Sequence, residues 1–310
     1  MSINILFAAG AKDWEVYKPH LEREFQNRAL DFHLGTDIKP SEVDYIIYAS
    51  TSTLRDFTPF TRCKAVLNLW AGVDTIVGNQ SLKIPLARMV DHGLTRGMVE
   101  WVAGHVLRYH LGMDRHIINP EQQWEPHIPP LAEERIITLL GLGELGRNCA
   151  EALQHLGFQI RGWSRRAKHI ENMETYSGED GLLAALKGAD MVVLLLPSTP
   201  ETENILDKTA LSALKKGAYV INPGRGPLIE DEALLAALDS GQIAHATLDV
   251  FRNEPLPKEH AFWSHPNVTV TPHIAAATRA SCAAPVIAEN VQRGEAGTPF
   301  LHLVDRTSGY

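Results

Sequence analysis

From Ile136 onward, short apolar runs alternate with amphipathic stretches of helical period. Strands are expected at Ile136–Leu140, Gln159–Trp163, Met191–Leu195, Ala218–Asn222, His245–Asp249 and Val268–Thr271. Helices are expected between them at Leu145–Leu156, Gly181–Leu186, Lys208–Leu214 and Glu230–Ser240. Strands joined by helical crossovers pair in parallel, because a helix is long enough to carry the chain back to the same edge. Such a pattern folds as a doubly wound α/β sheet. The run Val192-Val193-Leu194-Leu195-Leu196 is apolar at every position, as a strand covered on both faces must be, and Gly188 and Pro197 bracket it.

The N-terminal part repeats the alternation more weakly. Asn4–Ala8, Asp31–Leu34, Tyr45–Tyr48 and Ala65–Leu69 read as strands, with a helix near Trp14–Phe25. This pattern describes a second, smaller α/β domain. A long helix at Val99–Leu111 leads into the larger domain, and the proline-containing stretch 119–130 reads as an arm or loop. A final helix at about Thr278–Gly294 returns the chain to the first domain. The expected division is residues 1–97 with 282–310 against residues 98–281.

The chain has 310 residues, enough for two such cores, and its 45% apolar and 21% charged content is that of an ordinary globular protein. A formal net charge of −8 disfavours nucleic acid or an anionic membrane as partner. The run Met191–Leu196 is far too short to span a bilayer. Met1–Phe7 lacks the basic start of a secretory signal. Cys63, Cys149 and Cys282 show neither paired nor metal-like spacing. A reduced, cytoplasmic setting without a metal is expected.

Gly141-Leu142-Gly143-Glu144-Leu145-Gly146 lies between a strand and a helix. The first glycine permits a tight turn, the second lets backbone approach a pyrophosphate, and the third allows close helix–sheet packing. A bare glycine pattern is weak, but here the strand–turn–helix context is the one a dinucleotide needs. Glu144 is an awkward neighbour for phosphate and is expected to point to solvent. The following strand ends in Ser164-Arg165-Arg166, where an NAD enzyme usually carries an acid for the ribose 2′-hydroxyl. A hydroxyl and two guanidiniums suit a 2′-phosphate instead, so NADP(H) is expected over NAD(H). A solvated basic turn is the plainer alternative.

Three further segments follow strands, and the sheet's carboxyl edge is where ligands of such folds bind. Asn222-Pro223-Gly224-Arg225-Gly226 offers a guanidinium suited to a carboxylate. Asp249 to Pro255 contains Glu254, and Thr271-Pro272-His273 offers an imidazole that can donate a proton near neutrality. A carboxylate bonded to the far ring nitrogen would orient that imidazole. Singly, these residues read as an ion pair, a solvated acid and a satisfied core histidine. Together, at three strand ends of one cofactor domain, they describe hydride transfer to a 2-keto acid.

The same segments, in this order, resemble the D-isomer-specific 2-hydroxyacid dehydrogenase family. Leu196-Pro197-Ser198-Thr199-Pro200-Glu201-Thr202 matches that family's cofactor loop, and Trp70-Ala71-Gly72-Val73-Asp74 its first-domain substrate loop. Within the family the chain is similar, nearly end to end, to the glyoxylate/hydroxypyruvate reductases. That match includes Ala275-Ala276-Ala277-Thr278-Arg279 and the terminal stretch Val304 to Tyr310. The resemblance implies a Rossmann cofactor domain, a flavodoxin-like substrate domain and a homodimer. It makes Arg225 the substrate-binding arginine, His273 the acid/base and Glu254 its support. Trp70, Ala71, Gly72, Val73 and Arg279 would face substrate, with Gly72 and Val73 offering backbone amides. Leu196, Pro197, Ser198, Thr202, Pro223, Gly224, Asp249 and Ala275 would join the glycine loop around the cofactor, with Asp249 bonded to the nicotinamide carboxamide. One departure is Trp70, which stands where the related reductases carry a smaller aliphatic residue. The implied reaction is NADPH-dependent reduction of small 2-keto acids such as glyoxylate and hydroxypyruvate. The alternatives are a larger 2-keto acid such as phenylpyruvate, or a dinucleotide-sensing corepressor or scaffold without turnover.

Overall fold

A computed structural model describes residues 2–306, so the expected terminal match at Thr307–Tyr310 lies outside the described residues. The chain forms two compact units, Met1–Leu94 with Ala277–Tyr310, and Thr95–Ala276. The division falls a few residues before the sequence-based borders at both crossings.

The first unit contains β1 (Ile3–Ala8), α1 (Ala11–Asn27), β2 (Phe32–Gly35), β3 (Tyr45–Tyr48), β4 (Ala65–Asn68) and β5 (Leu86–Ala87). Its parallel sheet has the order β2-β1-β3-β4-β5, which is the flavodoxin-like order. Tyr45-Ile46-Ile47-Tyr48 is buried at all four positions, as a strand with both faces covered requires. Tyr17, Leu21 and Phe25 recur every four residues and lay one stripe of α1 on that sheet.

Helix α2 (His92–His110) leads into the second unit. There follow α3 (Asp114–Ile117), β6 (Ile136–Leu140), α4 (Glu144–His155), β7 (Gln159–Ser164), β8 (Glu174–Ser177) and α5 (Gly178–Leu186). Next come β9 (Met191–Leu194), α6 (Lys208–Ala213), β10 (Ala218–Asn222), α7 (Asp231–Asp239), β11 (Ile243–Leu248) and β12 (Val268–Val270). Helix α8 (Ala280–Glu295) belongs to the first unit and packs in its core. The seven-stranded sheet runs β12-β11-β10-β9-β6-β7-β8, parallel throughout. Strand order reverses between β9 and β6, and a crevice at such a switch point is the standard ligand position of doubly wound sheets.

The sheet holds seven strands where the apolar runs predict six. The extra one, β8, reads Glu-Thr-Tyr-Ser and pairs only with β7 at the sheet edge, so it needs no apolar run. Helix α2 begins at His92 rather than Val99. Gly93 and Gly97 weaken the helical pattern there, but the Asp91 carboxylate accepts the Leu94 amide at 3.0 Å and starts the helix. Residues 119–130 form no helix or strand. Among the described residues no helix is long and apolar enough to cross a membrane.

A polar cluster lines one face of the second unit. Tyr109 stacks on Tyr219 with ring centroids 4.4 Å apart. Thr269 Oγ1 accepts a hydrogen bond from Arg108 at 3.0 Å and lies 2.9 Å from His245 Nε2. One hydroxyl that accepts from Arg108 donates its proton to a neutral His245. Burial and then the nearby Arg108 push His245 down to about 4. The unfolded chain therefore binds more protons than the folded one between about pH 6.5 and 4, and stability present above that window is lost as pH falls through it. We expect His245→Gln, which keeps an acceptor for Thr269, to lose less stability than wild type between pH 7 and pH 4.5. The difference should be on the order of 2 kcal/mol, read from denaturant melts at each pH. Parallel acid dependence in the two proteins would assign the loss to other groups.

Candidate active site

The glycine loop sits at the end of β6. Gly141 has φ +111°, and a Cβ there would lie 2.5 Å from the Leu195 carbonyl oxygen. A Cβ on Gly146 would lie 1.9 Å from the Gly141 carbonyl oxygen. Both contacts exclude any larger residue. Gly143 differs: it caps the start of α4, and a Cβ there would meet nothing within 4 Å. The positive end of a 12-residue helix thus faces open space beside backbone that lacks a side chain, which fits a pyrophosphate. Leu145 turns partly into the core, while Glu144 is exposed and accepts from the Asn148 side chain at 3.3 Å.

At the end of β7, the buried Ser164 donates its hydroxyl proton to the Arg166 carbonyl at 2.8 Å, and Arg165 and Arg166 are exposed on the turn so formed. The sequence reading stopped at Arg166 and missed Lys168. Its ammonium donates to the Leu142 carbonyl at 2.8 Å, inside the glycine loop. Burial, with repulsion from Arg147, pushes the Lys168 ammonium below its ordinary range. Its signal was present as a third cation in the same short basic stretch.

The loop after β9 is held from within. Thr202 is buried, and its hydroxyl donates to the Pro197 carbonyl at 2.7 Å while accepting the Thr199 amide at 2.9 Å. Leu196 is buried, and Pro197 and Ser198 are half-buried. After β10, the buried Asn222 accepts the Gly224 amide at 3.1 Å and donates to the Arg225 carbonyl at 2.9 Å, so one side chain shapes the turn that carries Arg225. Pro223 and Gly224 are buried within it. Arg225 is half-buried and donates to the Gly224 carbonyl at 2.7 Å.

Asp249 is fully buried at the end of β11. One carboxylate oxygen accepts from the Thr271 hydroxyl at 2.6 Å and the Ile274 amide at 2.9 Å, and the other from the Ala275 amide at 2.8 Å. Its backbone carbonyl also accepts the His273 amide at 2.8 Å. These contacts hold His273 at φ +54°, a conformation side-chain-bearing residues rarely adopt. The exposed ring presents Nδ1 to Glu254 Oε2 at 2.7 Å, and the other Glu254 oxygen accepts the Phe251 amide at 2.9 Å. His273 Nδ1 is therefore the donor in this pair, and Nε2 takes no part in it.

In the first unit, Asn68 ends β4 with its side-chain amide buried. It donates to the Trp70 carbonyl at 2.7 Å and the Gly72 carbonyl at 2.9 Å, folding Trp70–Val73 into a fixed turn. Sequence reading missed Asn68, whose role follows only from the fold of that loop. Trp70 packs partly against the core, Ala71 and Gly72 are half-buried and Val73 is buried. Arg279 starts α8 and donates to the Gly93 carbonyl at 3.0 Å. Among the described residues no His, Cys, Asp or Glu cluster could hold a metal ion.

Comparison with known proteins bears on this arrangement. The family described as "D-isomer specific 2-hydroxyacid dehydrogenase, NAD binding domain" matches residues 105–275. The chain belongs to the D-isomer-specific 2-hydroxyacid dehydrogenase family. It is an oxidoreductase with a Rossmann-type cofactor domain. It is 42% identical over 255 residues to the glyoxylate/hydroxypyruvate reductase A of Yersinia enterocolitica, covering 80% of this chain and 82% of that one. It is 34% identical over 316 residues to the enzyme of that name from Klebsiella pneumoniae, covering 99% and 100%. A D-isomer-specific 2-hydroxyacid dehydrogenase from Xanthobacter autotrophicus, solved with NADPH and MES, superposes with a TM-score of 0.93 at 36% identity over the whole of both chains. An NADPH-dependent glyoxylate/hydroxypyruvate reductase from Sinorhizobium meliloti, solved with NADP and sulfate, gives 0.86 at 31%, also over both chains in full.

Proposed function

We propose that this protein is an NADPH-dependent reductase of small 2-keto acids, taking glyoxylate to glycolate and hydroxypyruvate to glycerate. The observation that carries the reading is the 2.7 Å pair of His273 Nδ1 and Glu254 Oε2 at adjoining loop ends. When bound, NADPH supplies the hydride that the keto carbon accepts. His273 gives the proton on Nε2 to the carbonyl oxygen as the alkoxide develops. Glu254 fixes the ring and favours its charged form, since a carboxylate beside an imidazole stabilises imidazolium. Arg225 binds the substrate carboxylate and polarises the carbonyl. Gly72 and Val73 offer amides to the same carboxylate, Trp70 stands beside the position of a third carbon where the substrate has one, and Ala71 and Arg279 also face substrate. The relatives' names support the substrate class.

Gly141 to Gly146 hold the pyrophosphate, and Leu196, Pro197, Ser198, Thr202, Pro223, Gly224 and Ala275 surround the rest of the cofactor. Asp249 has three of its roughly four acceptor sites filled by the 271–275 turn, which leaves one for the nicotinamide carboxamide. Its first task is to hold His273.

His273→Ala should lose roughly 10²–10⁴-fold in kcat/KM for glyoxylate with its melting curve unchanged. Glu254→Gln should keep measurable turnover while the alkaline limb of kcat/KM moves to lower pH. Reduction uses the protonated ring, and losing the carboxylate weakens what favours it. A limb that stays in place would separate Glu254 from the acid. A panel of glyoxylate, hydroxypyruvate, pyruvate and phenylpyruvate under these conditions ranks the substrates.

Ser164, Arg165 and Arg166 direct the choice of NADPH over NADH. Charge-assisted bonds to a phosphate are worth about 1.5–3 kcal/mol each when shielded, and less at these exposed positions. The double change Arg165→Ala, Arg166→Ala should raise KM for NADPH roughly tenfold, leave NADH kinetics nearly unchanged, and show a smaller effect at high salt. Equal losses with both cofactors would assign the arginines to loop folding.

The protein works in the cytoplasm as a homodimer. Ile117, Ile118, Trp124, Ile128 and Leu131 lie on one segment and are between 65% and 98% exposed. A run of large apolar side chains left in water marks a protein interface, and helix α2 adjoins it in sequence. Sedimentation at micromolar concentration should give a dimer mass that Trp124→Ser with Ile128→Ser weakens; a wild-type monomer would rule the dimer out.

A further inference from the structure

We propose that Arg252 is a positioning residue, clamping three strand-end loops of the second unit and so fixing Glu254 against His273. This rests on the reading of Glu254 and His273 given above. Arg252 stands two residues before Glu254. Its guanidinium reaches a different loop in each direction. One terminal nitrogen donates to the Asn204 side-chain oxygen and, at 2.6 Å, to the Ile229 carbonyl. The other lies 3.4 Å from Glu203 Oε1, and Nε lies 3.6 Å from Asp231 Oδ1. Glu203 and Asn204 lie on the loop after β9, Ile229 lies near the end of the loop that carries Arg225, and Asp231 starts α7 directly after it. Arg252 itself lies on the loop after β11.

Apart from short 3-10 turns at Gly226–Leu228 and Ala261–Trp263, these three loops have no helix or strand of their own to keep them in register. Their backbones nevertheless meet at very short range: a Cβ on Gly226 would lie 2.0 Å from the Phe251 carbonyl carbon. Short bonds knit the first two together, from the Asn204 amide to the Pro227 carbonyl at 2.8 Å and from the Leu206 amide to the Leu228 carbonyl at 3.0 Å. The third is attached to them through Arg252, with His260 further along it 3.6 Å from Asp231. Glu254 inherits its place from this attachment, because its Oε1 accepts the amide of Phe251, the neighbour of Arg252. A planar fork with five donors suits such a branching contact, whereas an ammonium can satisfy only part of it. The side chain is 31% exposed, so its ion pairs contribute little to global stability and its effect falls on local geometry.

The charged groups around this arrangement are few. Glu254 touches His273, Asp249 lies buried beneath the 271–275 turn, and Arg225 stands on the neighbouring loop. Arg252 is faced by Glu203 and Asp231, and Asp231 also faces His260 at 3.6 Å. Burial pushes the Asp231 carboxyl up despite the neighbouring Arg252 and His260.

The test is the pH dependence of keto-acid reduction with NADPH in the full-length protein. It compares wild type, Arg252→Met, Arg252→Lys, Glu254→Gln and the double variant Arg252→Met with Glu254→Gln. Arg252→Met should lose roughly tenfold to a hundredfold in kcat with a smaller change in KM. Its alkaline limb should move to lower pH, in the direction of Glu254→Gln. Arg252→Lys should recover part of both effects. The double variant should place the limb where Glu254→Gln alone does. If Glu254→Gln moves the limb and Arg252→Met does not, the clamp is refuted while the His273–Glu254 reading stands. If Glu254→Gln itself leaves the limb in place, both fall. Should Arg252→Met melt far below wild type, Asp231→Asn, which removes one partner and keeps the guanidinium, must give a smaller shift in the same direction. An unmoved limb there overturns the proposal.

Discussion

The buried carboxylate of Asp249 is the interaction on which the site depends. A parallel strand covered on both faces has nowhere along its length for a charge, so Asp249 stands at the end of β11, where three donors of the 271–275 turn meet it. Those bonds offset the cost of burying a polar group. They also force His273 into a positive φ that a side chain of its kind would otherwise avoid. The ring is then carried out of the turn into contact with Glu254. The His273–Glu254 pair is thus held by backbone geometry set one layer beneath it, and neither partner need be buried to be fixed.

The same economy recurs at the other strand ends. Asn222 shapes the Arg225 turn through its own backbone neighbours. Thr202 closes the loop after β9 on itself, and Asn68 does the same for Trp70–Val73 in the first unit. In each case a short polar side chain at or just past a strand end satisfies carbonyl and amide groups that the sheet no longer pairs. The residues assigned to chemistry stand beside these anchors and are more exposed: His273, Arg165, Arg166 and Arg279 all reach solvent. Buried groups fix the position of exposed ones.

Much of this was legible in the amino-acid order. Continuous apolar runs identified the inner strands of the large sheet, because burial on both faces leaves no room for alternation. The glycines at 141 and 146 were legible because steric exclusion at those points is absolute. Less visible were β8, whose edge position demands no apolar residue, and the first turns of α2, where a cap outweighs two glycines. Asn68 and Arg252 were missed because nothing in their local sequence marks them, and Lys168 because its place in a basic stretch does not show which carbonyl it reaches. Each acts on carbonyls far along the chain or around a turn that exists only once folded.

The sequence by itself determined the α/β class, the strand-end placement of Arg225, Glu254 and His273, and the basic turn after β7. These follow from periodicity and residue chemistry, which are local properties. Only the tertiary structure decided that Asp249 anchors the 271–275 turn, that Glu254 meets His273 at Nδ1 and not at Nε2, and that Arg252 joins three loops. Those outcomes depend on which strand ends become neighbours, and the order of a parallel sheet is fixed by long-range pairing that no local segment encodes.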